Sequence, residues 1–314
     1  MSQNHSAGRK PSGLSGLLKS SGAMHSCAVD HGSGRVEEAL SERVAGEGGS
    51  FELSAYLRSS IGPLVIVAHP DDESLGVGGQ LQHWPAAMFI HVTDGSPRDL
   101  RDAHSAGLKT QADYAALRQR ELDSALALAG FDSEARLGLG LIDQEAATNL
   151  EYLTRRLACI FLDAKPQAVI THPYEGGHPD HDAVAFAVHS ARQQVLLATG
   201  LAPMILEMTS YHNEAGWMRT GEFLPAADSP ITTLHLNAAQ HEFKRRLLRC
   251  FPSQSQTLRQ FKCHCERFRI APKYDFTEPP HEGTLFYEQY GLGMHGRDWR
   301  VLSAKALASL GIPQ

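Results

Sequence analysis

Two short stretches of this chain crowd imidazoles and carboxylates together. They are His69-Pro70-Asp71-Asp72-Glu73 and, well downstream, His178-Pro179-Asp180-His181-Asp182. Imidazole nitrogens and carboxylate oxygens are the donors of hydrolytic metal sites, where three protein ligands and one open position are usual. A carboxylate left over can take a proton from an attacking water, and a spare imidazole can steady charge or protonate a leaving group. Each stretch follows an apolar run, Leu64-Val65-Ile66-Val67-Ala68 before the first and Ala168-Val169-Ile170-Thr171 before the second. Such runs read as buried strands, and open α/β sheets bind ligands at the carboxyl ends of their strands. Two ligands from one loop and one from the other would close a metal site there. Pro179 suits the first turn of a helix, so His178 and His181, three apart, lean to one side of its start. Asp180 between them can hydrogen-bond an imidazole and fix its tautomer.

The pair of motifs, Ala68-His69-Pro70-Asp71-Asp72-Glu73 with His178-Pro179-Asp180-His181, resembles the PIG-L/LmbE-type de-N-acetylases, over roughly Leu64 to Phe261. The resemblance implies a zinc-dependent hydrolase that removes an acetyl group from an N-acetylglucosamine-containing or related amino-sugar substrate. It implies His69, Asp72 and His181 as metal ligands and Asp71 as the general base toward the attacking water. It implies His178 as the imidazole that stabilises the oxyanion and helps protonate the departing amine, with Asp180 orienting it. Softer resemblances imply substrate-side roles for Arg118, with its helix partner Glu121, for Asp143, and for Thr93 and Asp94 in the loop after the second strand. Glu73 is expected to turn into the fold as a structural partner. The chain departs from members that carry a tyrosine just before the second motif: Gly176 and Gly177 stand there, and Tyr174 lies further back. The nitrogen and oxygen donor set suits iron(II) as well as zinc.

Other readings compete. An amidase of a thiol-sugar conjugate or of an N-acylated natural product would use the same residues. A non-catalytic sugar-binding module has no need of both Asp71 and His178. A nucleotide-binding domain is disfavoured, because Gly76-Val77-Gly78-Gly79 lacks the G-x-G-x-x-G spacing. His172, ahead of Pro173, reads as a strand-end histidine, and His83, His91 and His189 as structural. Cys263-His264-Cys265 has no second pair at zinc-finger spacing and is not read as a metal site.

Positioning two such loops requires a sheet. Strands are expected at 64–68, 87–92, 135–139, 168–171, 204–211 and 231–236. Helices are expected at 110–129, 148–162, 179–197, 238–250 and 253–262, with a short strand at 284–287. Strand and helix alternating at this spacing implies an α/β fold, a Rossmann-like, mostly parallel sheet with helices on both faces, in a single domain over 51–314. Residues 1–50, rich in Ser, Gly and His, read as a disordered N-terminal segment. Within and beyond it, Glu37 to Leu57 reads as a helix interrupted at Gly46-Glu47-Gly48-Gly49.

A net charge of −6 over 314 residues argues against a nucleic-acid or membrane-surface partner. No apolar run reaches the roughly 20 residues of a membrane span. No apolar stretch follows Arg9 and Lys10 in the manner of a signal peptide, so a cytoplasmic location is expected. Five cysteines in a chain this long do not make a disulfide framework. The expected partner is a small amino sugar or glycoconjugate.

Overall fold

The computed structural model describes Leu53, residues 55–57 and residues 62–313. Residues 1–50, and most of the stretch from Glu37 to Leu57, lie outside the described residues. In chain order the elements are β1 (Leu64–Val67), α1 (Asp72–Val77), β2 (Met88–Thr93), α2 (Arg101–Ser105), α3 (Gln111–Leu128), β3 (Arg136–Leu141), α4 (Leu150–Ala164), β4 (Ala168–Thr171) and α5 (Pro179–Thr199). They continue with β5 (Met204–Met208), β6 (Tyr211–Glu214), β7 (Trp217–Thr220), β8 (Thr232–His235), α6 (Ala238–Leu248), α7 (Ser255–Leu258), β9 (Cys265–Ile270), α8 (Phe286–Gln289) and α9 (Gly296–Leu310).

Seven strands form one sheet in the order β3-β2-β1-β4-β5-β9-β8. The first five run parallel, and β9 and β8 add an antiparallel edge. Alternate residues of β1 serve opposite faces, as a strand's period of two requires. Leu64 and Ile66 join a core with α4, α5 and α9, while Val65 and Val67 join another with α1, α3 and α6. The expected α/β architecture, a mostly parallel sheet with helices on both faces in a single domain, is the one observed.

The helices start and stop where local chemistry dictates. Thr110 accepts the Asp113 N–H to cap α3, Asn237 and Gln240 close a capping box on α6, and Gly200 ends α5 in the left-handed region. The carboxy-terminal third departs from expectation. The stretch 204–211 splits, β5 ending at Met208 and Tyr211 opening the β6–β7 hairpin. The expected strand at 284–287 is instead helix α8, and the expected helix at 253–262 is regular only over Ser255–Leu258. Strand β9 was not expected at all. Its sequence, Cys-Glu-Arg-Phe-Arg-Ile, lacks an apolar run because its buried charges are paired: Glu266 with Lys244 at 2.7 Å and Arg269 with Glu207 at 2.7 Å.

Candidate metal centre

The strand order reverses between β1 and β4, and both motifs leave the sheet at that switch point. The loop after β1 turns sharply at Asp71, whose φ of 130° lies in the left-handed region that a branched residue avoids. Three hydrogen bonds from two residues hold this strained turn. Glu73 accepts its N–H at 3.1 Å, Arg118 donates to its carboxylate at 2.9 Å, and Arg118 also donates to the Pro70 carbonyl. Glu73 is fully buried and also accepts from Ser74 Oγ at 2.6 Å and lies 3.0 Å from His91 Nε2, so it does turn into the fold.

Three donors converge next to this turn. His69 Nδ1 is 3.3 Å from Asp72 Oδ2 and 3.3 Å from His181 Nε2, and His181 Nε2 is 3.4 Å from Asp72 Oδ1. A tetrahedral zinc with bonds near 2.0–2.1 Å sets its ligands about 3.3–3.4 Å apart; the two imidazole nitrogens have that spacing, and one Asp72 oxygen lies within 4.8 Å of both, so the three residues could hold such an ion. The remaining ring nitrogens are engaged from outside, as ligating histidines require. His69 Nε2 is 3.1 Å from Asp143 Oδ1 and 3.3 Å from Asp180 Oδ2, and His181 Nδ1 is 3.2 Å from Ser210 Oγ. His69, Asp143, His178 and Asp180 form a second such grouping. With Nδ1 of His69 facing the triangle, its Nε2 keeps the proton, so this grouping is a hydrogen-bonded support.

Asp180 is fully buried and is the knot of that support. Its carboxylate accepts the N–H of Gln144 at 2.6 Å and of Ala146 at 3.0 Å, besides facing His69. It lies 4.0 Å from His178 Nδ1, so its side chain holds His69 and the 144–146 turn more closely than it holds His178. What orients His178 is the Asp180 backbone, whose N–H donates to His178 Nδ1 at 3.2 Å as the cap of α5. A neutral ring then carries its proton on Nε2, which lies 3.8 Å from Asp143 Oδ1.

The four residues expected on the substrate side are placed differently from one another. Arg118 is buried and grips Asp71, with Glu121 at 3.3 Å behind it. Asp143 borders the site against His69 and His178. Thr93 and Asp94 serve the loop itself: the Thr93 hydroxyl donates to the Ala68 carbonyl and accepts from Gly95 N–H, and Asp94 accepts from Ser96 N–H and Gln111 Nε2. Tyr174 points away, its hydroxyl on the Glu278 carbonyl and its ring against Phe276 and Trp299.

Three residues join the site without a signal in the sequence. His172 stacks on His181 with centroids 3.9 Å apart, accepts the Ala68 N–H at 3.1 Å and lies 3.3 Å from Asp72. Ser210 holds His181. Tyr211 sets its ring edge-on to His181 at 5.5 Å, and its hydroxyl has no hydrogen-bond partner among the described residues. Gly177 makes room for it, since a Cβ there would fall 2.0 Å from the Tyr211 carbonyl oxygen.

Burial raises the carboxyl of Asp71 to about 7 despite the opposing pull of Arg118. Burial also raises Asp72, but the adjacent His181 and His172 outweigh it and hold that carboxyl well below its ordinary value. Burial drives His178 down to about 3, helped by His69. The site thus sets a carboxyl near neutrality beside an ionised one, with a neutral imidazole across from both.

Residues 64–192 match the model of the PIG-L family, described as GlcNAc-PI de-N-acetylase. Over this stretch, which holds both motifs, the chain is similar to the PIG-L family. It is 34% identical over 131 residues to a probable N-acetyl-alpha-D-glucosaminyl L-malate deacetylase 2 of Bacillus subtilis, a match covering 40% of the chain and 58% of that relative. The chain therefore spans less than two thirds of that relative's length. It is 26% identical over 233 residues to a 1D-myo-inositol 2-acetamido-2-deoxy-alpha-D-glucopyranoside deacetylase of Actinosynnema mirum, covering 61% of the chain and 80% of the relative. Among solved structures, N,N'-diacetylchitobiose deacetylase from Pyrococcus horikoshii shares the fold at a TM-score of 0.52 and 20% identity, over 77% of this chain and 94% of that one. A deacetylase from teicoplanin biosynthesis does so at 0.51 and 16%, over 68% and 99%. The PIG-L match contains His69, Asp71, Asp72, Arg118, Asp143, His172, His178, Asp180 and His181, whereas Ser210 and Tyr211 lie beyond it.

Proposed function

We propose that this protein is a zinc-dependent N-deacetylase that hydrolyses the acetyl amide of an N-acetylglucosamine-type sugar or glycoconjugate. The observation that carries the reading is the triangle of His69 Nδ1, an Asp72 carboxylate oxygen and His181 Nε2, with the two nitrogens 3.3 Å apart, Asp72 oxygens 3.3 and 3.4 Å from them, and Asp71 next to it but outside it. His69, Asp72 and His181 would hold the metal, whose bound form supplies a polarising charge and a more acidic water. Iron(II) suits the same donors.

The chain's own residues do the rest. Asp71, pinned by Arg118 and Glu73, takes a proton from the attacking water, and a carboxyl near neutrality suits that task. His178 presents Nε2–H, fixed by the Asp180 backbone at its other nitrogen, and donates to the carbonyl oxygen as charge gathers there. Tyr211, its ring edge-on to His181, offers a hydroxyl as a further donor. Asp143 and Asp180 keep His69 in register. As the C–N bond breaks, the departing nitrogen needs one proton, which is the one Asp71 collected; acetic acid and the amine then account for every atom, and proton exchange turns them into acetate and ammonium.

The test is free-amine release from a panel of N-acetylglucosamine conjugates, with and without chelator. Turnover that falls on chelation and returns with zinc is expected. Turnover indifferent to chelation, or a panel left wholly intact, would sink the reading.

A further inference from the structure

Beside the second motif, the segment that follows β9 encloses a cavity of about 440 Å³. That volume is of ligand-binding size. Its walls include His281, Leu285, Glu288, His295, Arg297 and Arg300. Leu285 ties it to the metal-centre loop. A Cβ at Gly176, two residues before His178, or at Gly296, at the start of α9, would fall 2.7 Å from a Leu285 methyl carbon. On the other flank, the turn at Gly293 approaches Gln144, the neighbour of Asp143, to 3.5 Å at a Cβ position.

The cavity walls carry two arginines and two glutamates, which are not paired with one another. Arg300 is half-buried and has no ion pair or hydrogen bond from its guanidinium among the described residues. Among the described residues, the only carboxylate within ion-pair reach of Arg297 is its neighbour Asp298, at 3.4 Å. Glu288, the acid set deepest among the cavity walls, has both oxygens taken by backbone: Gly296 N–H at 2.7 Å and Leu285 N–H at 3.0 Å. Glu282 is exposed at the rim. His281 donates from Nδ1 to a backbone carbonyl at 2.7 Å and leaves a buried Nε2 without a partner. The cavity also opens on the first turn of the 15-residue α9, where helix N–H groups favour negative charge. Half-buried Arg300 is the guanidinium left open here, and Arg297, exposed and paired only with Asp298, can turn beside it toward a ligand that brings negative charge.

We propose that this cavity binds a carboxylate or phosphate anion through Arg297 and Arg300. The anion is either a substituent of the amino-sugar substrate, in which case the inference rests on the deacetylase reading, or a free anion held beside the His178 loop.

Titration calorimetry of the full chain with inorganic phosphate tests it. Saturable binding is expected, weakened roughly tenfold or more in R297A/R300A. The pair R297Q/R300Q serves if the alanine variant unfolds. No saturable heat, or equal affinity in wild type and variant, overturns the proposal; the latter would place the anion at the metal centre. The source is decided by kcat/KM for N-acetylglucosamine carrying a carboxylate aglycone against its methyl glycoside. A preference of tenfold or more that collapses in the variant identifies a substrate substituent. Equal turnover of the two glycosides, with phosphate binding intact, identifies a free anion. If neither glycoside reacts, the deacetylase reading fails, while the calorimetry still decides whether the anion site exists.

Discussion

Asp71 and Asp72 are chain neighbours that differ in what surrounds them. Burial raises both carboxyls; Asp72 faces two imidazoles that reverse the effect, while Asp71, near Asp72 and Glu73, stays raised to about 7. In the proposed mechanism Asp72 serves as the ionised ligand and Asp71 as the base near neutrality. Asp71→Asn should lower turnover by about 10²–10⁴ while zinc content, read by elemental analysis, stays unchanged. Zinc lost together with activity would make Asp71 a ligand and end its assignment as base. His178→Ala should lower turnover by about 10²–10³, again with zinc retained, because a single oxyanion donor is removed. Unchanged turnover in that variant would show that Nε2–H does not meet the substrate. That His69, Asp71, Asp72, His178 and His181 would meet was legible in the sequence because imidazole and carboxylate cluster in two short motifs. His172, Ser210 and Tyr211 were not, since nothing local marks them: the sheet brings them to His181 from separate loops.

Elements were legible where burial imposes a pattern. The parallel strands β1, β2 and β4 are apolar because both faces are covered, and their helices carry caps that can be read directly. Beyond α5 the stabilising contacts become polar, and the pattern fades. Strand β9 is tied to β5 by Arg269, whose one guanidinium serves two buried carboxylates, Glu207 at 2.7 Å and Glu175 at 3.3 Å. One cation cannot compensate both, and burial raises Glu207 from 4.5 to about 7. Its folded form thus binds a proton more tightly than its unfolded form. Stability from this group is complete below about pH 4.5 and is lost as pH rises toward 7, by at most on the order of 3 kcal/mol. Glu207→Gln removes the titration and keeps the shape. In urea denaturation at pH 5 and pH 7, the wild type should lose stability relative to the variant over that interval. Parallel behaviour of the two proteins would mean that Arg269 keeps Glu207 ionised throughout.

At the scale of the molecule, the candidate metal centre joins parts of the chain that are far apart. His69 and His181 are 112 residues distant in sequence and 3.3 Å apart in space, one at the end of β1 and the other in the first turn of α5. The two elements are also held by Asp180, which bonds His69 from α5 and the 144–146 turn at once. The triangle exists only in the folded chain, so a cation that fills it binds the folded state and not the unfolded one. Linkage then stabilises the fold by about 2.7 kcal/mol at a free metal concentration a hundred times Kd. For a domain of this size that is a rise of several degrees in Tm. Zinc should therefore raise the Tm of chelator-treated protein, and His181→Ala should abolish the rise. Asp71→Asn should keep it, because Asp71 stands outside the triangle. Thermal melts of the three proteins with and without zinc separate the roles of neighbouring residues without any substrate. A full zinc-dependent rise in His181→Ala would show that the two halves of the centre are not joined through the metal.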